Sequence, residues 1–195
     1  MRTLPKALSR NSPVKEGPSC RDSKSSACLH GTFLAGILSA RRGSDAPAIC
    51  PAGTLLVRPI FREGGAGGKY EPSTSPDELA AAILDCIGAG ARVINLSLAL
   101  VRPLVGTDGS LKSALDHAML RGVIIVAAAG NQKLVGSTVI TGHPWVIPTA
   151  ACNRQGLPWA YSNVGLSIGG RGLRAPGDGV ISSGADGQSL VLSGL

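Results

Sequence analysis

The residues able to do chemistry are few and widely spaced. Three histidines (His30, His117 and His143) and five cysteines (Cys20, Cys28, Cys50, Cys86 and Cys152) are present. No His/Cys cluster, CxxC pair or pair of carboxylates forms a metal or acid–base motif. The glycine-rich run Gly64 to Lys69 superficially resembles a phosphate loop. Its spacing fails, and Tyr70 stands where a Ser or Thr would hold magnesium. The most informative polar residue is Asn131, which closes the run Gly122-Val123-Ile124-Ile125-Val126-Ala127-Ala128-Ala129-Gly130. A continuous apolar run reads as a strand covered on both faces. In parallel sheets, ligands bind beyond the carboxyl ends of strands, where Asn131 would stand. The same Gly-Asn pair also reads as a plain turn, since both residues tolerate positive φ. His30 opens a helical pattern and would stand at a helix N-terminus. Taken alone, it reads equally well as a satisfied histidine. His117 is expected on a helix surface and His143 in a loop.

Composition limits the setting. At 195 residues the chain is long enough for one domain with a substantial core. Small residues dominate and only 3% are aromatic, which suits close packing of helices on a sheet. The net charge is +7, but no dense basic run with interleaved aromatics marks a nucleic-acid surface. Six of the 19 basic residues lie in the first 24: Arg2, Lys6, Arg10, Lys15, Arg21 and Lys24. Residues 1–29 therefore read as a flexible, basic, Ser/Pro-rich segment and 30–195 as the folded part. An odd cysteine count indicates no disulfide framework, and Cys86 and Cys152 read as reduced core thiols. No secretory h-region opens the chain and no apolar run is long enough to span a bilayer, so a cytoplasmic setting without membrane contact is expected.

The elements that must position these residues follow in order. Phe33, Leu34, Ile37 and Leu38 share a helix face after His30. Thr54 to Val57 reads as a short strand, stopped near Pro59. Ser75-Pro76-Asp77-Glu78 is a capping-box start. Leu79, Ala82, Ile83, Cys86 and Ile87 follow at helical spacing, and Gly88 or Gly90 ends that helix. Arg92 to Leu98 is a strand. Thr107 or Asp108 caps the next helix, with Leu111, Ala114, Leu115, Ala118 and Met119 inward and Gly122 at its end. The Asn131 strand and another over Val146 to Ala151 follow. Beyond Cys152 the texture is turn-rich, and Leu173 to Ser182 reads as two short β segments around a turn. Alternating strands and helices imply a doubly wound, parallel α/β sheet.

Four stretches now stand in one order: His30-Gly31-Thr32 with Ala35-Gly36, Val93 to Leu98, Ala129-Gly130-Asn131, and Ala175-Pro176-Gly177. Together they resemble the subtilisin-like serine proteases over roughly residues 28–195. The Gly31–Ile60 region is similar to the branch that matures cyanobactin-type peptides. The resemblance implies an incomplete subtilisin-like fold, a peptide or protein substrate and serine-type endopeptidase chemistry. It implies that His30 is the general base and that Asn131 donates to the oxyanion. It implies that Ser97, Leu98 and Ala99 pair with substrate backbone as an added strand. Ala99 stands where the family usually has Gly. Calcium is common among relatives, but no ligands are assignable here, so no cofactor is expected.

The departures weigh as much. The family's Asp lies in Asp-Thr-Gly or Asp-Ser-Gly, and neither occurs. Asp22 is the nearest upstream acid and a poor substitute. The family's nucleophile lies in Gly-Thr-Ser; here Ser193-Gly194 is followed by Leu195. Ser189 and Ser193 do not occupy the matching position. The 195-residue chain is thus expected to be a truncated, inactive catalytic domain with apolar surface left uncovered, unless a complementing chain supplies the missing pieces. The alternatives are a pseudoprotease that keeps its cleft for peptide binding, and an unrelated α/β domain that binds a small molecule.

Overall fold

The computed structural model describes residues 23–44, 46–61, 73–100 and 109–193. They fall into two compact units, one within 1–74 and 181–191, the other within 75–180 and 192–195. Asp22, Cys20, the glycine-rich run, Thr107, Asp108 and Leu195 lie outside the described residues.

The second unit is the sheet. Its strands are β1 (Val93–Leu96), β2 (Ile124–Ala128), β3 (Val146–Cys152) and β4 (Leu173–Pro176), all parallel and side by side in chain order. The connections carry helices, as parallel pairing requires. This is the parallel α/β sheet that the alternation of strands and helices implies. Helix α2 (Pro76–Gly88) starts as the sequence implies: the Glu78 N–H donates to Ser75 Oγ at 3.1 Å and Pro76 takes the first helical position. Leu79, Ala82, Ile83 and Ile87 are buried, and Cys86 is half-buried. Helix α3 (Gly109–Arg121) buries Leu111, Ala114, Leu115 and Ala118 and ends at Gly122, with φ +67°. Met119, expected inward, is instead at the exposed edge of that face.

The register explains which half of each strand is covered. Ile94, Ile125 and Val146 stand side by side and are buried, as are Leu96, Ala127 and Pro148. On the opposite face Val93 is 59% and Ile124 42% exposed. The apolar run of β2 is therefore sealed on one face and only partly covered on the other. Continuous hydrophobicity told of a parallel strand, but not of how much cover each face receives.

Two short helices went unread in the sequence. Helix α4 (Val139–Gly142) forms despite three β-branched residues, because Thr138 and Thr141 make a reciprocal capping box. Helix α5 (Leu166–Arg171) contains Gly169-Gly170, a pair that local propensity assigns to a turn.

The first unit holds α1 (Ser26–Ser39) and the greater part of a two-stranded sheet of β5 (Val180–Ser183) and β6 (Ser189–Leu192). Helix α1 begins four residues before His30, because Ser25 Oγ accepts the Cys28 N–H at 3.2 Å. His30 is thus one turn inside the helix and not at its N-terminus. Phe33 is buried, whereas Leu34, Ile37 and Leu38 are half-buried. Gly36 meets β5: a Cβ there would overlap Ser182 Oγ and lie 3.0 Å from the Ser183 nitrogen. Buried Ser182 locks that crossing by donating to the Phe33 carbonyl at 2.7 Å. Thr54 to Val57 forms no ladder and Val57 is 70% exposed, so the expected strand is absent from the described structure. β-propensity alone does not make a strand without a neighbour to bond to.

The cysteines split. Cys50, Cys86 and Cys152 are free thiols, with Cys152 buried, as expected for a core residue. Cys28 is disulfide-bonded, which corrects the expectation that the odd count leaves no disulfide. Among the described residues no group of three or more His, Cys, Asp or Glu is placed to hold a metal ion, and no helix is long and apolar enough to cross a membrane.

Candidate active site

The carboxyl ends of β1 and β2 carry the candidate residues. They lie level, with Leu96 opposite Ala127, so Ser97 and Asn131 leave the sheet at the same end. The Ser97 hydroxyl accepts from Asn95 Nδ2 at 2.8 Å, which fixes the turn out of β1. Ser97, Leu98 and Ala99 are half-buried and stand outside the strand ladder. Ala99 reaches Gly130: a Cβ on that glycine would be 2.9 Å from the Ala99 Cβ. The structure therefore brings the two sequence-identified segments, 97–99 and 130–131, into contact. Gly130 has φ +99° and is buried, so it turns the chain sharply and leaves Asn131 exposed beyond the sheet. Gly130 is the turn residue that the Gly-Asn pair implies, and Asn131 follows it beyond the strand end.

One residue escaped the sequence reading. Asn163 is 5% exposed, and its side chain is fully engaged by the Asn131 segment. Its Oδ1 accepts the N–H groups of Gln132 and Leu134, both at 2.9 Å. Its Nδ2 donates to the Ala129 carbonyl at 3.0 Å and to Gln132 Oε1 at 2.8 Å. Its own backbone N–H donates to the Gly130 carbonyl at 2.8 Å. The pairing continues along the loop, from the Val164 N–H to the Leu134 carbonyl at 2.9 Å and from the Gly136 N–H to the Val164 carbonyl at 2.8 Å. Lys133, the one non-glycine with positive φ among the described residues, places its ammonium 4.1 Å from the Tyr161 ring centroid. Cation–π contact and backbone bonds together hold a strained turn.

Behind this loop lies a recess of about 30 Å³, walled by Ala129, residues 134–138, Thr141 and Asn163. Its hydroxyls are already bonded, Ser137 to Ser167 at 2.6 Å and Thr138 to Thr141 in the capping box. What remains for a guest is a small and mainly apolar space.

His30 is half-buried in α1, in the first unit. His117 is exposed, as expected. His143 lies in the expected loop but is buried: its Nε2 is 3.0 Å from Asp116 Oδ1, and its Nδ1 accepts the Trp145 N–H at 3.2 Å. Only an Nε2–H tautomer satisfies both partners. Asp116 is held below the usual carboxylate range by the Lys112 ammonium and then by the His143 bond. This histidine braces the structure. The Ser193 hydroxyl donates to Asp178 Oδ1 at 2.8 Å and accepts the Gly179 N–H at 3.0 Å, which makes it a turn brace.

A parallel α/β sheet thus carries Gly-Asn beyond the end of one strand, beside the unladdered Ser-Leu-Ala segment. The chain belongs to the Subtilase family, whose sequence profile (Peptidase S8) matches residues 3–189. It is 30% identical over 161 residues to Subtilisin NAT of Bacillus subtilis subsp. natto, covering 79% of this chain and 38% of that one. It is 26% identical to Mycosin-3 of Mycobacterium tuberculosis, covering 85% of this chain and 44% of that one. Among solved structures it superposes on the protease domain of PatA with a TM-score of 0.81 and 29% identity, over 91% of this chain and 62% of that one. The prenylagaramide maturation protease PagA gives a TM-score of 0.76 and 28% identity, over 85% of this chain and 58% of that one. These likenesses agree with the cyanobactin-maturation branch suggested by residues 31–60. The chain spans less than two thirds of the length of these relatives.

Proposed function

We propose that this chain carries the base and oxyanion portions of a subtilisin-like serine endopeptidase centre acting on peptide or protein substrates. Asn131 donates its side-chain N–H to the oxyanion of a tetrahedral intermediate. Residues Ser97 to Ala99 align the substrate backbone as an added strand. His30 takes the proton of an attacking hydroxyl and returns it to the leaving amine. The observation that supports the reading is the approach of Ala99 to Gly130 at the carboxyl ends of β1 and β2, which puts residues 97–99 beside the Gly130-Asn131 turn.

The same proposal holds that these 195 residues alone turn over no peptide. Neither the family's Asp motif nor its Gly-Thr-Ser motif occurs in the sequence, and another segment or chain has to supply them. Oxyanion stabilisation and binding alone retain only residual catalysis. The test is a fluorogenic peptide assay on the purified chain. No turnover above buffer is expected, and His30→Ala should change nothing. Turnover that disappears with His30→Ala would refute the incomplete-centre part while supporting the role of the base.

A further inference from the structure

We infer that Asn163 is a positioning residue for Asn131, acting through the loop both share; the inference rests on the oxyanion role proposed above. Asn131 is exposed at the tip of a turn whose backbone leaves the sheet after Ala128. An oxyanion donor is useful only if the backbone that carries it is already placed. The residues on both sides of Asn131 are held by one buried carboxamide. Upstream, Asn163 Nδ2 holds the Ala129 carbonyl at 3.0 Å and the Asn163 N–H holds the Gly130 carbonyl at 2.8 Å. Downstream, Asn163 Oδ1 holds the Gln132 and Leu134 amides at 2.9 Å, and Nδ2 holds the Gln132 side chain at 2.8 Å. The side chain thus does the work of a missing neighbouring strand, with two acceptor and two donor bonds in place of a ladder. It is 5% exposed, so water cannot substitute for it without rearrangement. Gly130 supports the same geometry: a Cβ there would come within 2.5 Å of Asn163 Nδ2. The glycine and the carboxamide are fitted to each other.

The experiment uses the 195-residue chain and two probes, a short peptide ending in a free carboxylate and its C-terminal amide twin, titrated by calorimetry. The terminal carboxylate is an anionic stand-in for the oxyanion. The wild-type chain should bind the acid about tenfold more tightly than the amide, the worth of one charge-assisted hydrogen bond. Asn131→Ala should erase that preference. Asn163→Leu should erase it too, with amide-peptide affinity within about twofold of wild type and with Asn131→Ala/Asn163→Leu no worse than Asn131→Ala alone. Amide hydrogen exchange should show lost protection at Gln132 and Leu134. If the leucine variant fails to fold, Asn163→Ser, which adds no volume and cannot span both amides, takes its place with the same expectations. Equal loss for both peptides, additive losses in the double variant, or a retained acid preference would overturn the positioning role while the oxyanion reading stood. A wild-type chain with no acid preference, or an Asn131→Ala variant that keeps it, would overturn the oxyanion reading and this inference with it.

Discussion

Replacing Arg171 with Met should cost more stability than any other single surface-accessible change in the sheet unit. Its guanidinium donates to three carbonyls, Thr141 at 2.9 Å, His143 at 2.9 Å and Val146 at 3.2 Å. These carbonyls belong to the end of α4 and the entry to β3, where intrahelical bonds run out; the His143 carbonyl also accepts the Val146 N–H at 3.1 Å. Hydrogen bonds to a charged group contribute roughly 1.5–3 kcal/mol each. The third bond is long, and carbonyls near the surface regain some water, so the full sum is too high. Methionine also keeps most of the stem's packing. A loss of about 2–4 kcal/mol is expected, with Arg171→Lys recovering roughly half because a single ammonium cannot span the three acceptors. Urea unfolding followed by circular dichroism measures it. With a slope of about 2 kcal/mol per molar, the midpoint should fall by about 1–2 M while the slope itself stays constant. A midpoint within about 0.25 M of wild type, equivalent to about 0.5 kcal/mol, would show that the fork is not what closes this corner.

Other substitutions test separate parts of the structure. Gly130→Ala forces an L side chain to φ +99° and drives a Cβ to 2.5 Å from Asn163 Nδ2, so thermal unfolding should show a loss of about 1–3 kcal/mol from backbone strain alone and the chain should lose any acid-peptide preference. Leu115→Ala empties a fully buried site on α3 and should cost about 2–5 kcal/mol by chemical denaturation; a smaller loss would mean that the space between helices and sheet collapses freely. Asp116 has its folded-state pKa lowered, first by Lys112 and then by His143, so its stabilisation is complete above the unfolded carboxylate value near about 3.9 and disappears as pH falls through the lower folded value. Unfolding midpoints of wild type and Asp116→Asn should therefore differ at neutral pH and converge in acid, and parallel curves would dismiss the coupling.

Local signals were legible in the sequence; close approaches of backbone and long-range hydrogen-bond partners were not. Gly130 reads as a turn from its type alone, whereas the neighbours that a side chain would strike, Ser182 and Ser183 at Gly36 and Ala99 and Asn163 at Gly130, lie far along the chain. Helices α2 and α3 were legible for a similar reason, since their caps and apolar spacing are local. Helix α4 was hidden because its β-branched residues argue against it, and the capping box that stabilises it carries Thr at both ends where Glu or Gln is the usual second partner. Asn163 was hidden more deeply. Ser162-Asn163-Val164-Gly165 looks like a turn, and its side-chain partners lie 29 to 34 residues away with no periodicity to announce them.

That difference bears on how the site is built. The residue proposed to touch the oxyanion sits on a strand-end motif that composition and pattern expose. The residue that aims it belongs to a loop with no regular structure, reached only after β3 has crossed beside β2. Parallel topology makes this arrangement natural. The end of one strand opens to solvent, and the segment leaving the next strand passes over it, so the second can brace the first without adding a strand of its own. A buried carboxamide is suited to that brace because it can accept from two backbone amides while donating in the opposite direction, as a peptide unit does in a ladder. Here it accepts from Gln132 and Leu134 and donates to Ala129, one residue on each side of the Gly130-Asn131 pair being held. The turn that presents Asn131 is thereby tied, on both sides of the Gly130-Asn131 pair, to the segment that follows β3.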